Sequence, residues 1–182
     1  MAGGRAFDPK RFDVAAFAAG GASLAGEWPL AALPRLASAG AQGLGFEAPP
    51  VHWQATGARA ALGGAGVQPT LHLVADAAVS VECQRCLQTM VVPLHVDRRL
   101  FFVEGEDAAA ALDTDSEDDV LTLEPAIDLR ALIEDELLLA LPLVPRHEVC
   151  PEPLPLRGED AAPAEEHPFA ALAALKGRPG SA

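Results

Sequence analysis

Four residues have the side chains and the spacing to hold a metal ion. Cys83 and Cys86 form a Cys-x-x-Cys pair, and His147 and Cys150 form a His-x-x-Cys pair further along the chain. Together they contain all three cysteines of the sequence. A thiolate pair on a turn supplies half of a tetrahedral zinc site, which then needs two more nitrogen or sulfur ligands. The later pair has the spacing to provide them. A redox Cys-x-x-Cys instead opens a helix, whose amino terminus lowers the pKa of the first thiol. Here Val91, Val92 and Pro93 follow, so no helix is signalled. A structural disulfide is disfavoured as well, because an odd cysteine count without a dense pattern points to a reducing compartment. Two readings stand: a closed Cys3His zinc site, or three reduced thiols with His147 on the surface after a helix.

Other residues invite chemistry with less specificity. Arg85, Arg98, Arg99 and Arg146 are near the cysteine pair in sequence and form a candidate local RNA contact, although scattered surface arginines give the same pattern. Arg130, Glu134 and Asp135 fall on the expected wet side of a helix, where a charged outer face is far commoner than acid-base catalysis. There is no Gly-rich phosphate loop, nucleophile elbow, His-x-x-x-His motif or internal repeat.

The elements that must position the cysteines read clearly. Upstream, Leu71, Leu73, Ala75, Ala77, Val79 and Val81 alternate with His72, Asp76, Ser80 and Glu82. Downstream, Met90, Val92, Leu94, Val96, Leu100 and Phe102 repeat the pattern, with Arg98 the one break. Period-two alternation predicts strands with one buried face, so the Cys-x-x-Cys turn sits at a hairpin tip. A preceding strand is predicted over Pro50 to Ala61, with Val51, Trp53, Ala55 and Gly57 on one side and Gly63-Gly64-Ala-Gly66 as its turn. The simplest assembly is a three-stranded antiparallel meander. The strongest helical periodicity starts at Asp128, a candidate cap, and joins Leu129, Leu132, Ile133, Leu137, Ala140 and Leu141, with Leu138 and Leu139 widening the apolar face. Pro142 ends this helix, which returns His147 and Cys150 toward the sheet.

Nearer the amino terminus, Asp8 and Pro9 predict a helix start, Phe7 stapling onto Phe12 and Gly20 ending the helix. A short extended run holds Trp28 as a core residue. Leu30 to Leu36 suggests a turn or short helix interrupted by Pro34, before a Gly-rich linker to Gly45. Glu104 to Asp119 has eight acidic residues and no basic one, the composition of a solvated, mobile loop. A short strand over Asp119 to Pro125 follows. Beyond Cys150 the chain is rich in Pro and Glu, a flexible linker leading to a short helical signature at its end. There Phe169, Leu172 and Leu175 share a face that either docks on its own domain or binds a partner groove. The partner reading is adopted.

The 182 residues suffice for one domain with a core, and their net charge of −13 argues against gripping nucleic acid with the whole surface. Arg5, Lys10 and Arg11 before the small, apolar run Val14 to Ala25 look superficially like an export signal. Asp8, Asp13 and Gly20-Gly21 argue against it. No stretch is long and apolar enough to span a membrane.

These pieces in this order resemble the YceD family, the large ribosomal RNA subunit accumulation proteins. The resemblance rests on Val81-Glu-Cys83-Gln-Arg-Cys86-Leu87, Ile133-Glu-Asp-Glu-Leu-Leu-Leu-Ala-Leu-Pro142, Val144-Pro145-Arg-His147 with Cys150, and Pro168-Phe169-Ala-Ala-Leu-Ala-Ala-Leu-Lys176. Glu27-Trp-Pro-Leu-Ala-Ala-Leu-Pro-Arg-Leu36 is similar to the family's amino-terminal segment. The resemblance implies a bacterial cytoplasmic factor needed for synthesis, processing or stability of 23S ribosomal RNA. It implies no catalytic activity. The family's cysteine pattern suggests zinc, and here His147 stands where some members have cysteine.

The expected architecture is α+β: a small antiparallel, barrel-like sheet packed against one main helix, with an N-terminal helix and a mobile C-terminal helical tail. The expected division is an N-terminal helix and extended segment over 1–45, the core with its knuckle over 46–150, and a flexible linker with a C-terminal helix over 151–182. The expected role is a non-enzymatic ribosome biogenesis factor that reaches 23S RNA, or the large-subunit precursor, through a ribosomal protein or assembly factor. No membrane or DNA partner is expected. The rivals are a chaperone or adaptor for a basic large-subunit ribosomal protein, and a zinc-dependent RNA-processing enzyme.

Overall fold

A computed structural model describes residues 7–40 and 47–151. The apolar alternation seen in the sequence becomes three long strands, β2 (Val51–Ala61), β3 (Val67–Glu82) and β4 (Thr89–Val103). Val51, Trp53 and Ala55 of β2, the odd-numbered residues Leu71 to Val81 of β3, and Leu94 and Val96 of β4 all point into one core. β2 and β3 pair antiparallel with Trp53 opposite Ala75, and β3 pairs with β4 from Thr70–Phe101 to Glu82–Thr89. The meander is as expected. Its outer face is polar: His95 meets Asp76 at 2.7 Å, His72 meets Asp97 at 2.7 Å and His52 meets Glu27 at 3.6 Å.

The sheet is not barrel-like. β1 (Ser23–Trp28) adds antiparallel to β2, and β5 (Asp119–Thr122) adds parallel to β4, giving an open mixed sheet in the order β1-β2-β3-β4-β5. β1 and β5 are the two edges and do not pair with each other, so the sheet does not close. A parallel neighbour also corrects the expectation of an all-antiparallel sheet, and it explains a second difference. A parallel pair needs a crossover, usually a helix, and the acidic stretch read as a loop provides one: α3 (Glu106–Asp115). Its alanines favour helix. Buried Ala109 joins Leu62, Phe101, Val103 and Val120 in a small second core.

The N-terminal helix α1 (Val14–Ala19) starts later than expected. Asp13, not Asp8, caps it by accepting from the Ala16 N–H at 2.8 Å, while Asp8 closes a turn by accepting from the Lys10 N–H at 2.9 Å. Phe12 is drawn out of the helix because its backbone exchanges hydrogen bonds with Ile127 at 2.8 and 3.0 Å. The aromatic contact between Phe7 and Phe12 does form, and both rings also meet Phe17. α1 lies directly on Gly57: a Cβ there would sit 2.6 Å from Phe17 Cδ1 and 2.9 Å from the Ala18 backbone. Trp28 stacks on Trp53 with centroids 4.6 Å apart.

Pro34 opens a helix instead of interrupting one. After a single 3-10 turn over Leu30–Ala32, α2 (Pro34–Ala39) begins with Pro34 in its first position, where a missing N–H costs nothing. α4 (Leu129–Leu139) is capped by Asp128, which accepts from the Arg130 and Ala131 N–H groups at 2.9 and 3.1 Å. Leu129, Ile133 and Leu137 enter the main core. Two details of the helix differ from the sequence reading. Leu139 is 76 % exposed and so does not widen the apolar face. Glu134 is buried, not on the wet side, because its carboxylate receives the Arg35 and Leu36 N–H groups from α2 at 2.7 and 3.2 Å and Arg35 Nε at 2.9 Å.

Candidate metal centre

The tip of the β3–β4 hairpin is a tight turn in which Cys83 and Gln88 pair through the backbone at 2.9 Å and the Leu87 N–H reaches Cys83 O at 2.8 Å. The turn places Leu87 in the left-handed region, φ 61°. The segment leaving α4 is tied to this tip, with the Gln84 N–H donating to Pro145 O at 2.9 Å. His147 and Cys150 therefore arrive beside Cys83 and Cys86.

One ligand atom from each of the four residues lies within 4.8 Å of the other three. Cys83 Sγ is 3.9 Å from Cys150 Sγ, and Cys86 Sγ is 3.3 Å from His147 Nδ1. Tetrahedral zinc with ordinary Zn–S and Zn–N bonds sets edges of about 3.8 Å between sulfurs and about 3.6 Å between sulfur and nitrogen. The donor set matches in type, and these two contacts match in spacing. Among the described residues this is the one such cluster.

The surroundings favour thiolate. Burial alone would raise the Cys83 pKa. Backbone N–H groups of His147, Arg85 and Cys86 aimed at its sulfur, with help from the Cys86 side chain, bring it down to about 5. The His147 N–H lies 3.4 Å from that sulfur. Cys86 moves up, chiefly through burial, as expected of one thiol beside others that compete for negative charge. Arg85 donates from Nε to Cys150 Sγ at 2.9 Å and from Nη2 to the His147 and Glu148 carbonyls at 3.0 and 3.3 Å. One guanidinium thus holds the His-x-x-Cys loop in place and compensates sulfur charge.

Residues 71–176 match the family of large ribosomal RNA subunit accumulation proteins, YceD. The chain belongs to this family. The YceD match starts in β3, takes in all four candidate ligands and continues to the end of the Phe169–Lys176 segment. No solved structure matches the chain.

The four arginines near the cysteine pair in sequence do not gather in this YceD chain. Arg98 and Arg99 pair across the sheet with Leu73 and His72. They sit roughly 30 Å along the strand from the knuckle at about 3.3 Å per residue. Both also face carboxylates: Arg99 binds Asp118 through two nitrogens at 3.1 and 2.6 Å, and Arg98 lies 3.9 Å from Asp119 and 3.8 Å from Glu136. Arg85 contacts the Cys3His cluster, and Arg146 is exposed on the loop. Phe169, Leu172 and Leu175 lie outside the described residues. Sequence reasoning missed that Gln84 and Arg85 clamp the second ligand pair. A backbone bond and an arginine inside a Cys-x-x-Cys turn carry no pattern that announces this.

Proposed function

We propose that this protein is a non-enzymatic cytoplasmic factor for the accumulation of 23S ribosomal RNA, that its Cys3His knuckle holds a structural zinc ion, and that it reaches the large-subunit precursor mainly through a ribosomal protein or assembly factor. The observation that carries the role in ribosome biogenesis is the family match. Zinc is supported by the fit of the donor set to a tetrahedron, in which all four positions are taken by side chains. When bound, zinc would supply rigidity: Cys83, Cys86, His147 and Cys150 would tie the hairpin tip to the segment after α4. A closed site leaves no position for the activated water that the enzyme reading requires. Indirect contact with RNA is supported by the net charge of −13 and by the carboxylates facing Arg98 and Arg99.

The role is tested by depleting the protein and measuring the ratio of 23S to 16S RNA, precursors included. The expected result is selective loss of 23S; an unchanged ratio sinks the proposal. Zinc is tested by elemental analysis of protein purified without added metal, with one zinc per chain expected and none refuting it. Tight binding of mixed-sequence ribosomal RNA fragments at physiological salt would overturn the protein-mediated route. A chaperone role for a basic ribosomal protein has one favourable observation, the acidic start of α3, where Glu104, Glu106 and Asp107 are all exposed. Reversing those three charges without weakening partner binding removes that reading.

A further inference from the structure

Leu87 is a leucine in a place that leucine does not favour. Its φ of 61° suits glycine or asparagine, and its side chain is 56 % exposed. The knuckle turn imposes that backbone, and it leaves the apolar side chain out in solvent, free to make a contact. It stands at the rim of a groove of about 630 Å³ whose apolar lining includes Val81, Leu87, Leu141, Pro142 and Pro145. Beside it, Leu143 is fully exposed and Val144 half exposed. Ala39 and Gly40, at the end of α2, also line it, and Gly40 comes so close to Ser80 O that a Cβ would lie 3.0 Å from it.

We propose that this groove is the docking site of the chain's own C-terminal segment, Phe169 to Lys176. Phe169, Leu172 and Leu175 recur at i, i+3 and i+6, which places them on one helical face, and the alanines between them allow close approach. A helix this short is marginal in water and needs a surface on which to form. The reach is sufficient. Pro151 directly follows Cys150 of the knuckle, and Phe169 comes 18 residues later, a length of chain that can reach up to roughly 56 Å at about 3.1 Å per residue. Such a tether gives an effective concentration on the order of millimolar, so a weak contact is enough for occupancy. Lys176 ends the segment with a charge opposite to that of Glu82 on the groove lining. This inference does not depend on the ribosomal role. It moves the segment from a partner's groove, where sequence alone placed it, to the protein's own.

The test uses the full-length chain with the photo-crosslinking residue benzoyl-phenylalanine in place of Leu172, at dilute concentration, with linkage sites mapped by mass spectrometry. The expected product is an intrachain link to the 81–89 or 141–145 segments. Its yield should fall about tenfold in Leu87→Asn, which suits the left-handed backbone but loses the apolar side chain. Leu175→Asp should lower it similarly without touching the folded core. Links between two chains, links elsewhere on the domain, no link, or a yield unmoved by both substitutions would each overturn the proposal.

Discussion

Replacing Glu134 tests whether α2 is held by a cap supplied from α4. α2 has no side-chain cap of its own: Leu33 occupies the cap position, and Pro34 has no N–H. The Ala37 N–H is satisfied by Leu33 O at 2.9 Å, leaving the Arg35 and Leu36 N–H groups. Both donate to the same atom, Glu134 Oε1, at 2.7 and 3.2 Å, while Oε2 takes Arg35 Nε at 2.9 Å. Glu134→Ala strands two helix-start donors, one of them buried. Loss of a cap is worth about 1 kcal/mol and each unsatisfied buried donor about 1–3 kcal/mol. The expected destabilisation is therefore about 2–4 kcal/mol. Glu134→Gln can keep its amide oxygen at Oε1 for the two backbone N–H groups, but its NH2 then faces Arg35 Nε, so it loses the ion pair and that one hydrogen bond. Because the Arg35 side chain is 51 % exposed, the pair contributes at most about 1 kcal/mol. Arg35→Ala should cost more than that pair, because it also removes the Arg35 contacts with Asp135 and Ala131 O and leaves the buried Glu134 carboxylate without its cation. Urea denaturation followed by circular dichroism, with zinc held constant, measures all three. If Gln proves as damaging as Ala, or Ala costs under about 0.5 kcal/mol, the tertiary-cap argument is wrong.

Other consequences follow from the same geometry. Gly57→Ala drives a methyl into Phe17 and the Ala18 backbone and should destabilise by about 1–3 kcal/mol, whereas Gly64→Ala, whose Cβ meets nothing within 4 Å, should stay within about 0.5 kcal/mol in thermal melts. In metal-free protein, the depressed Cys83 pKa makes thiolate stability present in full above the usual value of 9.0. It is lost as pH falls through about 5, so the ultraviolet absorbance of the Cys83 thiolate, which needs no access for a reagent to this buried sulfur, should persist in the folded chain well below pH 9 and fade near pH 5. Treatment with a strong chelator, or Cys86→Ser or Cys150→Ser, should lower the melting temperature and loosen residues 143–150 toward proteolysis. A chain indifferent to all three has no structural metal. Arg85→Ala should weaken zinc affinity about 10–100-fold while leaving the four ligands in place, as measured by competition with a chromophoric chelator.

What the sequence determined by itself is local and periodic. Alternation over Leu71 to Phe102 dictated the long hairpin, because a strand with one buried face allows only one assignment of sides. The Cys-x-x-Cys spacing dictated a knuckle at its tip, and Asp128 announced its helix through cap chemistry. The tertiary structure decided everything that depends on a partner distant in the chain. Asp8 with Pro9 reads as the helix start until Ile127 claims the Phe12 backbone and the helix begins after Asp13. Glu134 looks like a surface charge until α2 offers its unpaired N–H groups. The acidic stretch has a loop's composition, yet it becomes α3 because β5 must return parallel to β4. Arg98 and Arg99 are near the cysteines in number but far along a rigid strand, beside carboxylates. Pattern records which face of an element is buried; only packing chooses which element covers it, and that choice fixes where each polar group finds its partner.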